Sequence, residues 1–443
     1  MRLRVLRRHL RLLRLRLRLL RRRVRVPRLR LPRVLQRPRV LAALAVVAVA
    51  AVVVGLLAGG GKTKPPVPEG GSHFGNAPSA ARSTSLVDVL APLLATGTSP
   101  RSSKRGQSSS QPVKLPLDRA VAQLFAVGFR GTEPVAPFFE VLRHREYSAV
   151  LLGRSNYVNA AQLAALAGEV RVVAQQAGHA VPLVGARQAG GNYSAFPDLP
   201  PRPAPDVAAS GRAAPVRSEA RLAGGQLRSL GVNLTIAPDA DLAVVAGPAQ
   251  DRGFSDRPGL AGHLVRAAVD GYRRQGVAAA VGHFPGEGAA AQNPDVGPTT
   301  VGLSLDELVA HDMRPFAAVT KRAPVIVMSN AAYVAFDGVT PAGLLPEAVR
   351  LLRSRLLYSG VIMTGDLGAA SENLGESVAD AALQAVRAGA DLLYVPGGLR
   401  DQQAAYDAVL IAARRGRISR RRIDKSIARI RRVRRIYRIS SGA

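Results

Sequence analysis

From about Leu115 onward, short apolar runs alternate with longer stretches in which apolar residues recur at helical spacing. The apolar runs are LFAVGF (124–129), SAVLL (148–152), VPLVG (181–185), VNLTIAP (232–238), VAAAVGHF (277–284), PVIVMS (324–329), GVIMT (360–364) and DLLYVP (391–396). Continuous apolar strands that alternate with helices are typical of a parallel sheet covered by helices. Eight such units in about 325 residues predict an α/β fold, a (β/α)8 TIM-type barrel. A doubly wound open sheet is the competing arrangement, although GFRGTEP after the first run lacks the spacing of GxGxxG.

The amino-terminal part of the chain has a different pattern. Residues 40–58, VLAALAVVAVAAVVVGLLA, contain neither a charged residue nor a proline. A helix of this length spans about 28 Å, close to the hydrocarbon thickness of a bilayer. Because arginines precede the run and a Gly- and Pro-rich stretch follows it, we expect one retained transmembrane helix. A buried core helix and a cleaved signal peptide are the alternatives.

Charge is concentrated at the two ends of the chain. The formal net charge is +32, and residues 1–39 hold 17 arginines and no acidic residue. An arginine excess before the apolar run predicts that the N-terminal tail is cytoplasmic. The simpler interpretation of the tail is a solvated basic segment without further function. The expected localisation is therefore the cell membrane, single-pass, with the barrel extracytoplasmic.

The region between the apolar run and the predicted barrel reads as a linker. Residues 59–114 are rich in Gly, Pro, Ser and Thr, a composition that does not bury enough apolar surface to fold. The expected domains are thus a tail (1–39), a membrane helix (40–58), a flexible linker (59–114) and a barrel (115–441). Near the middle of the chain no basic patch carries interleaved aromatic residues, so we expect no nucleic-acid partner.

Polar residues gather directly after the predicted strands. Asp239 and Asp241 follow the fourth run, GHFPGEG (282–288) continues the fifth, Asn330 follows the sixth, and Asp366 follows the seventh. In a (β/α)8 barrel these strand ends meet at one rim, where enzymes of this fold carry their active sites. The sequence therefore predicts a site at this rim.

Several of these motifs resemble those of glycoside hydrolase family 3, in particular its β-N-acetylhexosaminidase branch. GVNLTIAPDADL resembles the family's strand G-I/V-N-x-x-x-A-P-V-x-D, GHFPGEG its KHFPGHG loop, and GVIMTGDLGA its GVVxTDDLxM stretch. The resemblance runs from about Leu115 to Tyr437. It implies a barrel fold and retaining hydrolysis, in which an aspartate attacks the anomeric carbon and an acid/base group serves the leaving oxygen and then water.

This chain departs from the family pattern where the resemblance places the reacting groups. The position of the family nucleophile is Gly365, and Asp366 matches a second, structural aspartate. In the loop AAAQNPDVGP, Asn293 and Asp295 stand where the family has its Asp–His acid/base pair.

Further departures affect the sugar-binding groups of the family. Gly282 replaces a sugar-binding lysine, and Ala195 stands in place of an arginine. Arg187 begins a stretch that replaces the family's acidic DQEGG. By contrast, the resemblance implies substrate-binding roles for His283, Arg252 and Asp241.

Three functions remain open at this point. The first is a degenerate family member that binds a peptidoglycan-type glycan or an envelope protein without hydrolysis. The second is an active β-N-acetylhexosaminidase with rearranged roles, in which Asp366 is the nucleophile and Asp295 or Glu287 the acid/base. A one-residue shift at a strand end turns a side chain to the opposite face, so Asp366 would need a bulge to reach the pocket. The third is a spacer in an envelope assembly.

The candidate binding residues also have simpler interpretations. His283 is equally consistent with a loop hydrogen bond, Arg252 with a surface ion pair, and Asp241 or Asn330 with the cap of a turn. Arg187 is most simply a solvated arginine, and the binding of an anionic ligand is the alternative. No metal site is proposed, because no His/Asp/Glu cluster has ligand spacing along the sequence, and no cofactor is implied. The absence of cysteine excludes disulfides and thiolate sites.

Overall fold

A closed barrel of eight parallel strands forms the centre of the folded domain. The computed structural model describes residues 115–134 and 137–438. Its strands are β1 (Phe125–Gly128), β2 (Ala149–Leu152), β3 (Leu183–Ala186), β4 (Leu234–Asp239), β5 (Ala278–Phe284), β6 (Thr300–Val301), β7 (Val325–Met328), β8 (Ala332–Tyr333), β9 (Val361–Asp366) and β10 (Leu392–Val395). The barrel closes in the order β1-β10-β9-β7-β5-β4-β3-β2, and β6 and β8 pair separately outside it.

Each of the eight predicted apolar runs overlaps one barrel strand, and β3, β4 and β9 extend one or two residues beyond their runs, so the predicted (β/α)8 barrel is confirmed and the open sheet is excluded. The helices are α1 (Leu117–Ala122), α2 (Pro137–His144), α3 (Ala160–Gln176), α4 (Ala204–Ala208), α5 (Ala213–Ser229), α6 (Pro258–Arg274), α7 (Leu305–Ala310), α8 (Arg314–Ala317), α9 (Pro346–Arg350), α10 (Leu367–Leu374), α11 (Val378–Ala388), α12 (Leu399–Arg414) and α13 (Arg420–Tyr437).

Two apolar layers hold the domain together. The inner layer fills the barrel with strand residues such as Leu234, Val327 and Met363. The outer layer joins the opposite strand faces to the surrounding helices. Because both faces of every strand are buried, the strands are continuous apolar runs rather than alternating ones.

The last helix extends this inner layer beyond the strands. Ile430, Val433 and Tyr437 of α13 belong to the cluster inside the barrel, so α13 closes the end at which the strands begin. Spacing predicts that Ile436 also docks, but its side chain is 60% exposed, and Tyr437 takes the buried position one residue later.

Two predicted helices are interrupted. The stretch LDELVAHDMRPFAAVTKR forms α7 and α8, because His311 leaves helical geometry (ψ −79°) and Pro315 begins a new first turn. The stretch PEAVRLLRSRLLY forms α9 followed by a π-helical turn over Leu351–Arg355.

No helix within 115–134 and 137–438 is long and apolar enough to cross a bilayer. The predicted tail, membrane helix and linker (1–39, 40–58 and 59–114) lie outside the described residues.

Candidate functional site

Four charged side chains meet at the carboxyl ends of β4 and β5; we call them the ionic cluster (Asp241, Arg252, His283 and Glu287). Arg252 donates from Nη2 to Glu287 Oε2 at 2.7 Å and lies 3.3 Å from Asp241 Oδ2. His283 Nδ1 lies 2.8 Å from the same Asp241 oxygen. Arg252 is only 1% exposed, so the surface ion pair considered from the sequence is wrong.

Asp241 also organises the backbone of the GHFPGEG loop. Its Oδ1 accepts hydrogen bonds from the backbone nitrogens of His283 (3.1 Å) and Glu287 (2.9 Å). Glu287 in turn accepts a 2.8 Å hydrogen bond from the Ser329 hydroxyl at the end of β7. The ends of β4, β5 and β7 therefore contribute to one hydrogen-bond network. Asp241 after β4 contacts the loop after β5, and Glu287 in that loop contacts Ser329 after β7.

Glycines let this loop approach the strand ends closely. A Cβ at Gly286 (φ +129°) would meet Asp312 Cβ at 2.6 Å, and a Cβ at Gly288 would meet Leu242 at 2.9 Å. Positive φ and short backbone contacts both require glycine. The GxG spacing around Glu287 thus places its carboxylate inside the cluster.

The charges of the cluster shift one another's pKa values. Burial opposes ionisation of Asp241, but His283 and Arg252 lower the pKa of its carboxyl to about 2. Burial alone would lower the pKa of His283, but Glu287 and Asp241 raise it to about 9. At neutral pH the imidazole is therefore protonated, and its Nδ1–H donates to Asp241 Oδ2.

Neighbouring acids respond mainly to burial. Desolvation and the Asp241 charge raise the pKa of Glu287, although His283 and Arg252 oppose the shift. Asp312 was not singled out from the sequence, and burial and the nearby Asp241 raise its pKa to about 7. Shifted acids in a polar rim are common at functional sites.

The fold creates a cluster of metal-ligand type that sequence spacing does not reveal. Ligand atoms of Asp239, Asp241 and His283 lie within 4.8 Å of one another. A register shift between β4 and β5 sets Asp239 opposite Gly282 and so brings the carboxylate of Asp239 next to the imidazole of His283. Because the Arg252 guanidinium and the protonated His283 already neutralise Asp241, we derive no metal-dependent step from these residues.

At the end of β9, where the resemblance places the nucleophile, Gly365 has no side chain, and the side chain of Asn330 takes up the adjacent space. A Cβ at Gly365 would lie 2.5 Å from Asn330 Oδ1 and 2.8 Å from Asn330 Nδ2. Real Cβ atoms essentially never come so close to another heavy atom. Asn330 is held there because its Nδ2 donates to Asp295 Oδ1 (2.9 Å) and to the Asp366 carbonyl (3.0 Å).

Asp366 uses its carboxylate to cap a helix. Its Oδ1 accepts from the backbone nitrogen of Gly368 at 2.7 Å and from that of Ala369 at 3.4 Å, at the start of α10. The register between β9 and β10 shifts just before Asp366, which is the kind of irregularity that the alternative mechanism requires. Burial and the nearby Asp295 raise the pKa of the Asp366 carboxyl to about 6.

A cavity of about 430 Å³ opens on the side of the rim where β1, β2, β3 and β10 end, lined among others by Arg187, Tyr193, Ala195, Asp295 and Tyr394. The four side chains of the ionic cluster are not part of this lining. Asp295 is thus on the cavity wall, whereas Asp366 is not part of the lining.

The sequence did not single out Tyr193 as a site residue, and it gave the wrong environment for Arg187. Arg187 is 27% exposed and lies 3.7 Å from both Asp239 Oδ2 and Asp295 Oδ2. Its guanidinium also lies 5.1 Å from the centre of the Tyr193 ring. The solvated arginine expected from the sequence is wrong, because the acids that hold Arg187 come from two distant loops.

Comparisons with known proteins agree with this architecture. Residues 116–433 match the Glycosyl hydrolase family 3 N terminal domain. A Beta-hexosaminidase of Xanthomonas campestris pv. campestris (strain B100) is 29% identical over 282 residues, which cover 61% of this chain and 84% of that protein.

Solved structures give the same result. A glycoside hydrolase family 3 β-N-acetylglucosaminidase from Paenibacillus sp. str. FPU-7 superposes with a TM-score of 0.70 and 30% identity over 74% of this chain. The superposition covers 64% of the Paenibacillus protein's length. A family 3 glycosyl hydrolase from Mycobacterium smegmatis has a TM-score of 0.65 and 28% identity, and covers 72% of this chain and 97% of its own. The barrel, its rim motifs and these matches show that the chain belongs to glycoside hydrolase family 3 and is β-hexosaminidase-like.

Proposed function

We propose that this protein is a membrane-anchored, extracytoplasmic family member that binds an N-acetylhexosamine-containing glycan of the cell wall without hydrolysing it. The observation that carries the proposal is the filled space beside Gly365. A retaining mechanism needs a carboxylate at the anomeric carbon. Glycine has no side chain to supply one, and the Asn330 amide occupies the volume into which a longer side chain would project.

The ionic cluster supports retained binding. Its four side chains are buried and fixed by hydrogen bonds from three strand ends, so they are preorganised for a polar ligand. The cavity beside it has the volume of a typical small-molecule site and combines Arg187 and Asp295 with the rings of Tyr193 and Tyr394. Such a mixture of polar groups and apolar ring faces suits a sugar with an acetamido group.

The nature of the ligand and its location rest on the relatives and on the amino-terminal pattern. The similar proteins are a Beta-hexosaminidase and a β-N-acetylglucosaminidase, which favours terminal N-acetylhexosamine as the recognised unit. The apolar run 40–58 after an arginine-rich tail favours a single-pass anchor with the barrel on the extracytoplasmic side. Peptidoglycan-type fragments contain this sugar and lie on that side.

The test measures hydrolysis and binding separately on the full chain in detergent. We expect no release of nitrophenol from a nitrophenyl β-N-acetylglucosaminide, but saturable binding of a muropeptide. His283→Gln should weaken that binding, whereas His263→Gln, at an exposed position of α6, should not. Steady nitrophenol release by the unchanged protein would overturn the proposal. Failure to retain muropeptide, with recovery of a protein partner instead, would favour the spacer.

A pair of variants tests the reason given for inactivity. Gly365→Asp alone should stay inactive, because the new side chain meets Asn330. Combined with Asn330→Gly, the same aspartate gains room. Because nitrophenolate is a good leaving group that needs little protonation, we expect about one equivalent of nitrophenol per protein as the glycosyl-enzyme forms. A covalent sugar adduct on the introduced aspartate would confirm the geometry; an adduct on the unchanged protein would contradict the proposal.

The rearranged hydrolase is a second candidate because of one observation. Asp295 and Asp366 both contact Asn330, and the pKa of the Asp366 carboxyl is raised towards neutrality. In that mechanism Asp366→Asn would abolish turnover, and the two carboxyl groups would lie about 5–5.5 Å apart. The hydrogen bonds from Gly368 and Ala369 to the Asp366 carboxylate favour a structural role instead.

A further inference from the structure

A second cavity lies at the opposite end of the barrel, where the strands begin; we call it the basal cavity. It has a volume of about 660 Å³ and is bounded by the segment before β3, the end of α3 and the end of α13. No acidic side chain is part of its lining, which includes five arginines: Arg171, Arg431, Arg434, Arg435 and Arg438.

Arg434 is the buried member of this group. Its side chain donates from Nε (3.1 Å) and Nη2 (2.8 Å) to the carbonyl of Val181. The third nitrogen, Nη1, is buried and has no hydrogen-bond partner among residues 115–134 and 137–438. Burial, reinforced by Arg431 and opposed by Glu146, lowers the pKa of Arg434 to about 10. A buried guanidinium without a counter-charge is costly, typically by several kcal/mol.

The nearest acid is already engaged elsewhere. Glu146 accepts from Arg119 Nε (2.8 Å), from the Gln123 amide (2.6 Å) and from the backbone nitrogen of Ala180 (3.3 Å). Within the described part of the chain Arg434 forms no ion pair with it shorter than 4.0 Å. The negative charge near the basal cavity is therefore held by Arg119.

The two halves of α13 differ in how many of their arginines pair with a carboxylate. In the first half, Asp424 pairs with Arg420, and the buried Asp391 pairs with Arg422 and Arg429. In the second half, the arginines from 431 to 438 have no carboxylate partner among the described residues. Four of these five arginines, all but Arg432, line the basal cavity.

We propose that the basal cavity binds an anion bearing phosphate, either a free phosphate compound or the headgroup of an anionic lipid. Guanidinium groups recognise phosphate oxygens through paired N–H donors. The volume exceeds that of a single phosphate, so a diphosphate or a glycerol phosphodiester fits the space better.

The chain enters the barrel at this same end. Arg119 of α1 reaches Glu146 and the carbonyl of Gly178, next to the cavity wall at Ala180. The described part of the chain therefore begins close to the basal cavity. The rim lies at the opposite end of the barrel, so an anion in the basal cavity leaves the rim free for the glycan.

The experiment compares three full-length proteins in the same detergent at constant ionic strength. The cavity variant is Arg431→Gln with Arg435→Gln, both exposed and thus compatible with folding. The control is Arg421→Gln with Arg432→Gln, which removes the same charge from exposed positions of the same helix that do not line the cavity. The probes are inorganic pyrophosphate, short-chain phosphatidylglycerol and short-chain phosphatidylcholine. The basic tail is common to all three proteins, so its own binding cancels in the comparison.

We expect the dissociation constant for pyrophosphate to rise about tenfold or more in the cavity variant and less than about twofold in the control. A parallel loss for phosphatidylglycerol, with no binding of phosphatidylcholine, would identify the lipid headgroup as a source. A loss for pyrophosphate alone would identify a soluble phosphate. Equal weakening in both variants, or no weakening in either, would overturn the proposal. None of these results depends on whether the rim binds sugar.

Discussion

The two sides of the barrel rim differ in what they retain. On the side of β4 and β5, the ionic cluster is buried, and partners on three strand ends hold it. On the side of β9, Gly365 has no side chain, the Asn330 amide fills the adjacent space, and Asp366 caps α10. Under the proposed function, the difference means that a binding surface and a reaction centre are separable, even when strands of one barrel carry both.

The variant with the largest expected effect removes one of the two cations of the ionic cluster. Arg252→Met would leave the buried Asp241 and Glu287 with only His283 as counter-charge, and the loss of a buried partner typically costs about 3–5 kcal/mol of unfolding free energy. Arg257→Met, at an exposed position nearby, should change stability by less than about 0.5 kcal/mol. Urea unfolding of both variants measures the difference. Similar values for the two would mean that the cluster does not hold the rim together.

Stability measured as a function of pH tests the charge of His283 in the ionic cluster. The pKa of His283 is raised in the folded protein to about 9, from 6.5. Its contribution to stability is therefore fully present below pH 6.5 and is lost as the pH rises through 9. His283→Gln should accordingly destabilise the protein more at pH 6 than at pH 10, with a change of about 3 kcal/mol between these values. A difference that does not depend on pH would show that His283 is uncharged in the folded protein.

The Gly365 side is tested by adding one methyl group. Gly365→Ala places a Cβ against Asn330, and overpacking of this kind costs about 1–3 kcal/mol. In an Asn330→Gly background the same substitution should cost much less, so a double-mutant cycle measures the coupling directly. If Gly365→Ala is harmless by itself, Asn330 moves aside easily and the two sides of the rim differ less than their geometry indicates.

The smallest expected effect concerns Asp366. Asn at this position keeps an acceptor for the backbone nitrogens of Gly368 and Ala369 but removes a half-buried charge. Because the pKa of Asp366 is raised in the folded protein to about 6, its ionisation lowers stability as the pH rises from about 4 to 6. Because Asp366 is only half-buried, solvent screening reduces the full linkage value of about 3 kcal/mol, and Asp366→Asn should stabilise the protein by about 1 kcal/mol at pH 7 and have little effect at pH 4. Thermal unfolding of the variant and the unchanged protein at both pH values measures this difference. Strong destabilisation of the variant at pH 7 would require another role for the carboxylate.

Much of the fold follows from local sequence patterns. Every barrel strand overlaps one of the predicted apolar runs, because a strand buried on both faces is largely apolar. Helices were harder to predict where small residues form the contact. α5 packs through residues such as Ala220, Ala223 and Gly224, which give a weak periodic signal.

The candidate site was only partly predictable. Motifs singled out Asp241, Arg252 and His283, and the structure brings these three together. The roles of Arg187 and Tyr193 were not visible, because their partners Asp239, Asp295 and Asp251 lie tens of residues away in the sequence. The candidate catalytic pair Asp366 and Asp295 remains a prediction for the turnover assay.

The sequence by itself determined the barrel, the absence of a carboxylate at position 365 and the arginine excess of the last helix, since each depends only on residue type and spacing. Tertiary structure decided three other properties. It brought Asp239 into register beside His283, placed Asn330 where a nucleophile would lie, and left Arg434 buried without a counter-charge. These depend on distances between residues remote in the chain, which closure of the barrel alone sets.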